Sequence, residues 1–154
     1  MANPVIFVLR AAFLAYLALN AWNAVADLRH SHPRFAKHYA SFAKELVTSG
    51  AKLPYVLTAE FIKANSEAVV KHTAWAQIVL CALALFVSRK FTMLAGLLYA
   101  LHAVVRLNAA KISAKSTTVE LEPYVLALSV LAASFAFSFA GQGVIARVIG
   151  KKNK

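Results

Sequence analysis

Long apolar runs alternate with polar stretches along this chain of 154 residues. The first run covers residues 4–26 and is long enough, at a rise of about 1.5 Å per residue, to cross a hydrocarbon core about 30 Å thick. Three further runs cover residues 69–88, 91–108 and 123–149. This pattern predicts four transmembrane helices, and an even number of spans predicts that both ends of the chain lie on the same side of the membrane.

The polar stretch between the first two runs is too long for a simple turn, and its apolar positions follow a helical pattern. Large apolar residues recur there three or four positions apart: Phe35, Tyr39, Phe42 and Leu46. We therefore predict an amphipathic helix over residues 33–48 that lies at the membrane surface. The predicted fold is all-α, a four-helix transmembrane bundle with an amphipathic interfacial helix in the loop between spans one and two. It forms a single membrane domain over residues 1–154.

Composition supports lipid as the solvent of this chain. Hydrophobic residues make up 60% of it and the mean hydropathy is +0.63, whereas a soluble domain this small has too much surface to bury so many apolar residues. Arg10, Asn20 and Asn23 interrupt the first run, which is also longer than the apolar part of a signal peptide, so we expect a retained span. Cys81 is the single cysteine, which excludes a disulfide framework within the chain.

The chain is strongly basic, with 17 lysine and arginine residues against 6 acidic ones and a formal charge of +11. Such an excess suits either nucleic acid, or anionic lipid and acidic protein partners. The basic residues lie at the ends of the predicted spans and in the first loop, so we do not expect nucleic acid as a partner. Contacts with anionic lipid such as cardiolipin are assigned to the basic turn and the basic chain end: Arg89, Lys90, Arg147, Lys151 and Lys152.

Polar and ionisable residues inside the predicted spans are costly in lipid and need partners. One stripe of the first span carries Asn20, Asn23 and Asp27, and one stripe of the third carries His102 and Arg106. Both spans end at the same membrane face, so we predict one intramembrane polar cluster in which Asp27 pairs with Arg106. Two interpretations stay open. The cluster either holds the bundle together by interhelical hydrogen bonds, or forms a small pocket for a lipid head group, a quinone or a proton.

No constellation in the sequence indicates catalysis. The chain has no nucleophile elbow, no glycine-rich phosphate loop and no paired carboxylates within a predicted span. Of the five histidines only His102 lies clearly within a span, whereas a buried haem needs ligands that face each other from two spans. We therefore predict a protein that is not an enzyme and has no cofactor and no metal site.

The second and third predicted spans form a close hairpin, which reads AQIVLCALALFVSRKFTMLAGLLYALHAVVRLN. One span and a long amphipathic loop precede it, and a fourth span follows. In this order and spacing the chain resembles the DoxX-like family of small four-helix membrane proteins, which includes the surfeit-type cargo receptors of the endoplasmic reticulum. Gln77 stands near the acidic position of that family, Arg89 and Lys90 supply its basic turn, and alanines replace its glycines. The resemblance implies a four-helix membrane bundle and a role in cargo binding or trafficking.

Three functions remain as hypotheses. The first is a non-catalytic structural accessory subunit of a larger membrane complex, in particular a respiratory or ATP-synthase assembly of the mitochondrial inner membrane, because the chain is small, basic and free of catalytic motifs. The second is a secretory-pathway cargo receptor or trafficking protein, which the resemblance and a K-K-x-x ending at Lys151 and Lys152 support. The third is a quinone- or haem-linked membrane enzyme. We expect a multi-pass protein of the mitochondrial inner membrane, with the endoplasmic reticulum as the alternative.

Overall fold

Helices and one short 3-10 turn make up the part of the chain that the computed structural model describes, residues 4–107 and 118–139. The helices are α1 (Pro4–Ala26), α2 (Leu28–Thr48), α3 (Ala59–Ala64), α4 (Ser66–Phe86), α5 (Phe91–Leu107) and α6 (Thr118–Phe139), and the 3-10 turn is Tyr55–Leu57. Within these described residues no strand occurs, so the predicted all-α class is confirmed.

Three of the described helices are long and apolar enough to cross a membrane, namely α1, α4 and the Glu122–Phe139 part of α6. The fourth apolar helix, α5, has 17 residues and is therefore about 25 Å long. By length and composition the structure thus indicates a membrane protein with three candidate spans. The crossing by α5, and with it the predicted four-span bundle, stays a prediction.

The described helix ends follow the predicted runs to within five residues, and α4 ends at Phe86, two residues before the predicted end at residue 88. Helix α1 covers the whole of the predicted run 4–26. Helix α4 begins at Ser66, three residues before the predicted start, because only Asn65 separates it from α3. Helix α6 begins at Thr118, ahead of the predicted start at residue 123. Residues 108 and 140–149 of the third and fourth predicted runs lie outside the described residues.

The connector between α1 and α4, residues 27–65, is more helical than predicted. Helix α2 begins directly after Asp27, not at residue 33, and accommodates Pro33 in its second turn. The hydroxyl of Ser31 donates a hydrogen bond of 2.7 Å to the carbonyl of Ala24, which holds α1 and α2 together at a tight corner. Gly50 ends α2 with a φ of 89°, a left-handed conformation in which glycine has no Cβ penalty.

Helix α4 lies at the centre of the bundle, packed against α1, α2 and α5, and α5 packs in turn against α6. The buried apolar core comes from α1, α4, α5 and α6: Leu14, Leu17, Cys81, Ala84, Ala95 and Val130. Helix α2 also packs against α4 and α5. The apolar face of α2 is therefore covered partly by this protein's own helices, and its predicted position at the membrane surface stays a prediction.

Small residues set the contact between α5 and α6. A Cβ added to Gly96 would overlap the side chain of Ser134, so the two helices approach as closely as glycine allows. Ser134 and Ser138 are buried one turn apart on α6, at 0% and 3% exposure, whereas the neighbouring Ala132 and Ala136 are exposed. Ser134 and Ser138 therefore face the bundle, whereas Ala132 and Ala136 face away from it.

Candidate functional site

A partly open cavity of about 700 Å³ lies between α1, α2, α4 and α5, near the end of the bundle where α1 ends and α4 begins. Its walls include every residue of the predicted polar cluster: Asn20, Asn23, Asp27, His102 and Arg106. The packing of the helices thus brings the polar stripes of α1 and α5 to one shared space. We call this space the polar cavity.

Helix α2 supplies cavity residues that the sequence analysis did not include. Arg34, Phe35 and His38 line the polar cavity from α2, and Thr73 and Gln77 line it from α4. These α2 residues could have been predicted from their helical spacing, which places Arg34 and His38 one turn apart beside Phe35. They were not assigned to the polar cluster because the sequence pattern predicts that α2 is a surface helix, separate from the bundle.

Asp27 stands at the corner between α1 and α2. Its carboxylate lies 2.6 Å from Nδ1 of His30. Asp27 therefore pairs with His30 and not, as predicted, with Arg106, because α2 starts right after Asp27 and places His30 one turn further along. Both partners are more than half exposed, and an ion pair in such a setting contributes little to stability.

The two arginines of the polar cavity come from different helices. Arg34 belongs to α2 and Arg106 to the last turn of α5. Among the described side chains, no carboxylate lies within 4 Å of either guanidinium group. Beside them the ring of His102 stacks on Phe35, with 5.4 Å between the ring centroids and 19° between the planes. This stack joins α5 to α2 and forms one wall of the cavity.

The hydrogen bonds of the cavity residues bear on the two interpretations of the polar cluster. Asn20 donates to the carbonyl of Tyr16 on its own helix at 2.8 Å, and Asp27 bonds to the adjoining His30. Within the described part of the chain, none of the five predicted residues forms a hydrogen bond between two packed spans. Both interpretations of the polar cluster therefore stay predictions, and the described residues show only that the five side chains line one cavity.

Gln77 is a cavity residue that joins two helices by a side-chain hydrogen bond, as Ser31 does at the α1–α2 corner. It is 5% exposed, and its Nε2 donates a hydrogen bond of 2.9 Å from α4 to the carbonyl of Ala95 on α5. A longer contact of 3.9 Å reaches the sulfur of Cys81. The side-chain oxygen of Gln77 is buried and has no hydrogen-bond partner among the described residues. Gln77 thus fixes the spacing of α4 and α5 at the deep end of the polar cavity.

Two of the predicted lipid contacts lie in the turn between α4 and α5. There the amide of Phe91 donates to the carbonyl of Ser88, and the amide of Thr92 to that of Arg89, each at 3.0 Å. Lys90 is exposed in this turn and Arg89 is partly so. The other predicted lipid contacts, Arg147, Lys151 and Lys152, lie outside the described residues.

A second depression of about 500 Å³ lies at the outer side of the α1–α2 corner, lined in part by His30, His32 and Glu67. The ring of His32 contacts the hydroxyl of Ser66 at 3.2 Å. In the described ranges, no group of three or more histidine, cysteine, aspartate or glutamate side chains is arranged to hold a metal ion. The described residues that line this depression therefore give no set of metal ligands.

Comparison of the chain with models of protein families, with curated proteins and with solved structures finds no match.

Proposed function

We propose that this protein is a non-catalytic accessory subunit of a larger membrane complex, that it crosses the membrane four times, and that its connector is the surface by which it binds partner subunits. The observation that carries the proposal is the 3-10 turn Tyr55–Leu57. Its three consecutive large apolar side chains are 76%, 54% and 44% exposed, although the turn belongs to the polar connector and not to a span.

The apolar turn is held in place by the connector itself. The phenol of Tyr39 on α2 donates a hydrogen bond of 2.8 Å to the carbonyl of Leu57, and burial raises the pKa of this phenol, which keeps it a neutral donor. The ring of Tyr55 packs edge-on against Phe61 of α3 at 5.5 Å. Exposed aromatic and aliphatic side chains on a fixed backbone are typical of protein interfaces, where they bind at low cost in conformational entropy.

The four-span arrangement rests on the tight turn between α4 and α5. Residues 87–90 leave no room for a long crossing outside the membrane, so α5 returns alongside α4. A helix about 25 Å long spans a bilayer that thins slightly around it. It also spans a bilayer of ordinary thickness if the side chain of Arg106 extends to the head groups. Both chain ends then lie on one side of the membrane and the connector on the other.

Cysteine labelling tests this arrangement. Single cysteines are placed by Ser49→Cys in the connector, Lys90→Cys in the α4–α5 turn and Ser116→Cys after α5, each in a Cys81→Ser background. In sealed vesicles, a membrane-impermeant maleimide is expected to label positions 49 and 116 from one side and position 90 from the other. Labelling of positions 90 and 116 from the same side would show that α5 does not cross.

Native purification followed by mass spectrometry tests the role as a subunit. A tagged full-length chain is expected to co-purify with a defined set of membrane proteins, and Tyr55→Asp together with Val56→Asp is expected to release that set. The control Asn65→Asp adds a carboxylate at an exposed helix cap of the same connector, where aspartate is well tolerated, and it is expected to keep the partners. Purification of the unaltered protein as a lone monomer would refute the proposal.

The membrane we propose is the mitochondrial inner membrane, and the complex a respiratory or ATP-synthase assembly. The support is chemical: the chain carries a formal charge of +11, and cardiolipin offers the acidic head groups that such a charge attracts. Fractionation of cells that express the tagged protein is expected to recover it with inner-membrane markers. Recovery with markers of the endoplasmic reticulum would favour the secretory-pathway alternative instead.

A further inference from the structure

We propose that the polar cavity binds one anionic lipid, with its acidic head group between Arg34 and Arg106 and its acyl chain along the apolar wall towards Leu17. The inference requires that the bundle sits in a lipid bilayer, but it does not require that the protein be a subunit of a complex. It concerns a different place from the basic α4–α5 turn, which lies at the opposite end of α5.

Charge is the first argument. Arg34 and Arg106 are both exposed and line one space from two helices, and two like charges that share one space repel each other. Asp27 is the one acidic side chain among the described residues that line the cavity, and it is engaged by His30. A bound anion supplies the missing negative charge, and a guanidinium group binds phosphate through two parallel hydrogen bonds.

The change from polar to apolar lining along the cavity is the second argument. At the end where α1 meets α2, the lining includes Asp27, Arg34 and Arg106, and at the other end it includes Leu17 and Leu98 beside the single amide of Gln77. Leu17 lies ten residues before Asp27, which directly follows the end of α1, and this separation corresponds to a depth of about 15 Å along the helix. An inorganic anion would use only the basic end. An amphiphile uses both.

The size and shape of the cavity agree with a lipid that is only partly enclosed. About 700 Å³ is within the range of about 300–1,000 Å³ typical of pockets for small organic ligands. The cavity is partly open, so the remainder of a two-chain lipid can extend from it into the bilayer. Asn20 and Thr73 bond within their own helices, whereas Gln77 and Ser31 of the lining bond to neighbouring helices and keep the walls of the cavity in place.

Native mass spectrometry of the full-length protein in detergent micelles tests the proposal. We expect phosphatidylglycerol to be retained as a bound adduct, and phosphatidylcholine, added at the same concentration, to be lost. Replacing both cavity arginines, Arg34→Gln with Arg106→Gln, is expected to weaken retention of phosphatidylglycerol about 30-fold, since each basic residue near an anionic lipid contributes about fivefold. The double lysine variant at these positions keeps both charges but not the paired hydrogen bonds of guanidinium, so it is expected to retain more phosphatidylglycerol than the glutamine variant and less than the unaltered protein.

Two controls separate this site from general surface charge and from phosphate binding. Arg29→Gln removes an exposed arginine from the same helix but outside the polar cavity, and it is expected to leave retention unchanged. Inorganic phosphate in excess is expected not to displace the lipid, whereas a single-chain lysophosphatidic acid is expected to do so. Displacement by phosphate alone, equal retention of phosphatidylcholine, or an equal loss in Arg29→Gln would each overturn the proposal.

A cavity-filling variant guards against an effect of misfolding. Ala21 is 8% exposed and lines the polar cavity, so Ala21→Phe occupies its apolar part without altering any charge. We expect this variant to lose phosphatidylglycerol while its helical circular dichroism and its thermal midpoint in detergent stay close to those of the unaltered protein. Undiminished retention in Ala21→Phe would place the lipid elsewhere on the protein.

Discussion

The close contact between α5 and α6 gives a sharp test of the fold. Gly96 faces Ser134 across this contact, and a Cβ added at Gly96 would overlap both the Cβ and the Oγ of Ser134 and lie 3.7 Å from its Cα. Rotation of the Ser134 hydroxyl cannot relieve an overlap that involves its Cβ. The substitution Gly96→Ala must therefore push the two helices apart or shift one of them along its axis.

The change in stability that Gly96→Ala causes is the sum of two opposing effects. Alanine is a better helix former than glycine by about 1 kcal/mol, while overpacking of a close contact costs about 1–3 kcal/mol. Gly96→Ala is therefore expected to destabilise the protein on balance. In a Ser134→Gly background the obstructing Cβ is gone, and the same substitution is expected to stabilise it by up to about 1 kcal/mol. The effect of one methyl group thus changes sign with the residue opposite.

The assay is the free energy of unfolding in mixed micelles, titrated with a denaturing detergent and followed by helical circular dichroism. The four proteins of the Gly96 and Ser134 cycle are compared, and we expect a coupling energy of about 1–3 kcal/mol between the two substitutions. Ser129→Thr serves as the control, because it adds a methyl group at an exposed position of the same helix. Additivity of the two substitutions within about 0.5 kcal/mol would refute the close helix contact.

Further expected outcomes concern the connector, the cavity and the depth of the bundle. Tyr39→Phe removes the hydrogen bond to the apolar turn, which contributes about 1 kcal/mol. This substitution is expected to speed tryptic cleavage after the exposed Lys52 several-fold. An unchanged cleavage rate would show that this bond does not hold the connector. Gln77→Leu removes one interhelical bond and one unpartnered buried oxygen, so the unfolding free energy is expected to change by less than about 1 kcal/mol; a loss above about 2 kcal/mol would contradict this. Trp22 and Trp75 pack edge to face, with 6.4 Å between the ring centroids, so both lie at a similar depth. The fluorescence of both is expected to be quenched more by lipids brominated near the head group than by lipids brominated near the chain ends. The reverse order would place this end of α1 and α4 in the middle of the membrane.

The polar cavity shows where sequence reasoning about the candidate site succeeds and where it stops. Asn20 and Asn23 on α1, and His102 on α5, can be assigned to one cluster because helical spacing fixes a face and the order of spans fixes which ends meet. The contribution of Arg34 could not be assigned in this way. It depends on α2 folding back against α4 and α5, and no local pattern distinguishes a helix that packs on a bundle from one that lies on lipid, since both bury one apolar face.

The sequence by itself determined the all-α class and most of the limits of the apolar helices. The ends of α1 could be read from its long and mostly apolar run, because a helix in lipid must satisfy its backbone hydrogen bonds within its own segment. The tertiary structure alone decided the pairing of Asp27 with His30 and the entry of α2 into the cavity wall. It also decided which stripe of α6 is buried. Side chains of similar size and polarity occur on more than one face of that helix, and only close packing against Gly96 selects the face that carries Ser134.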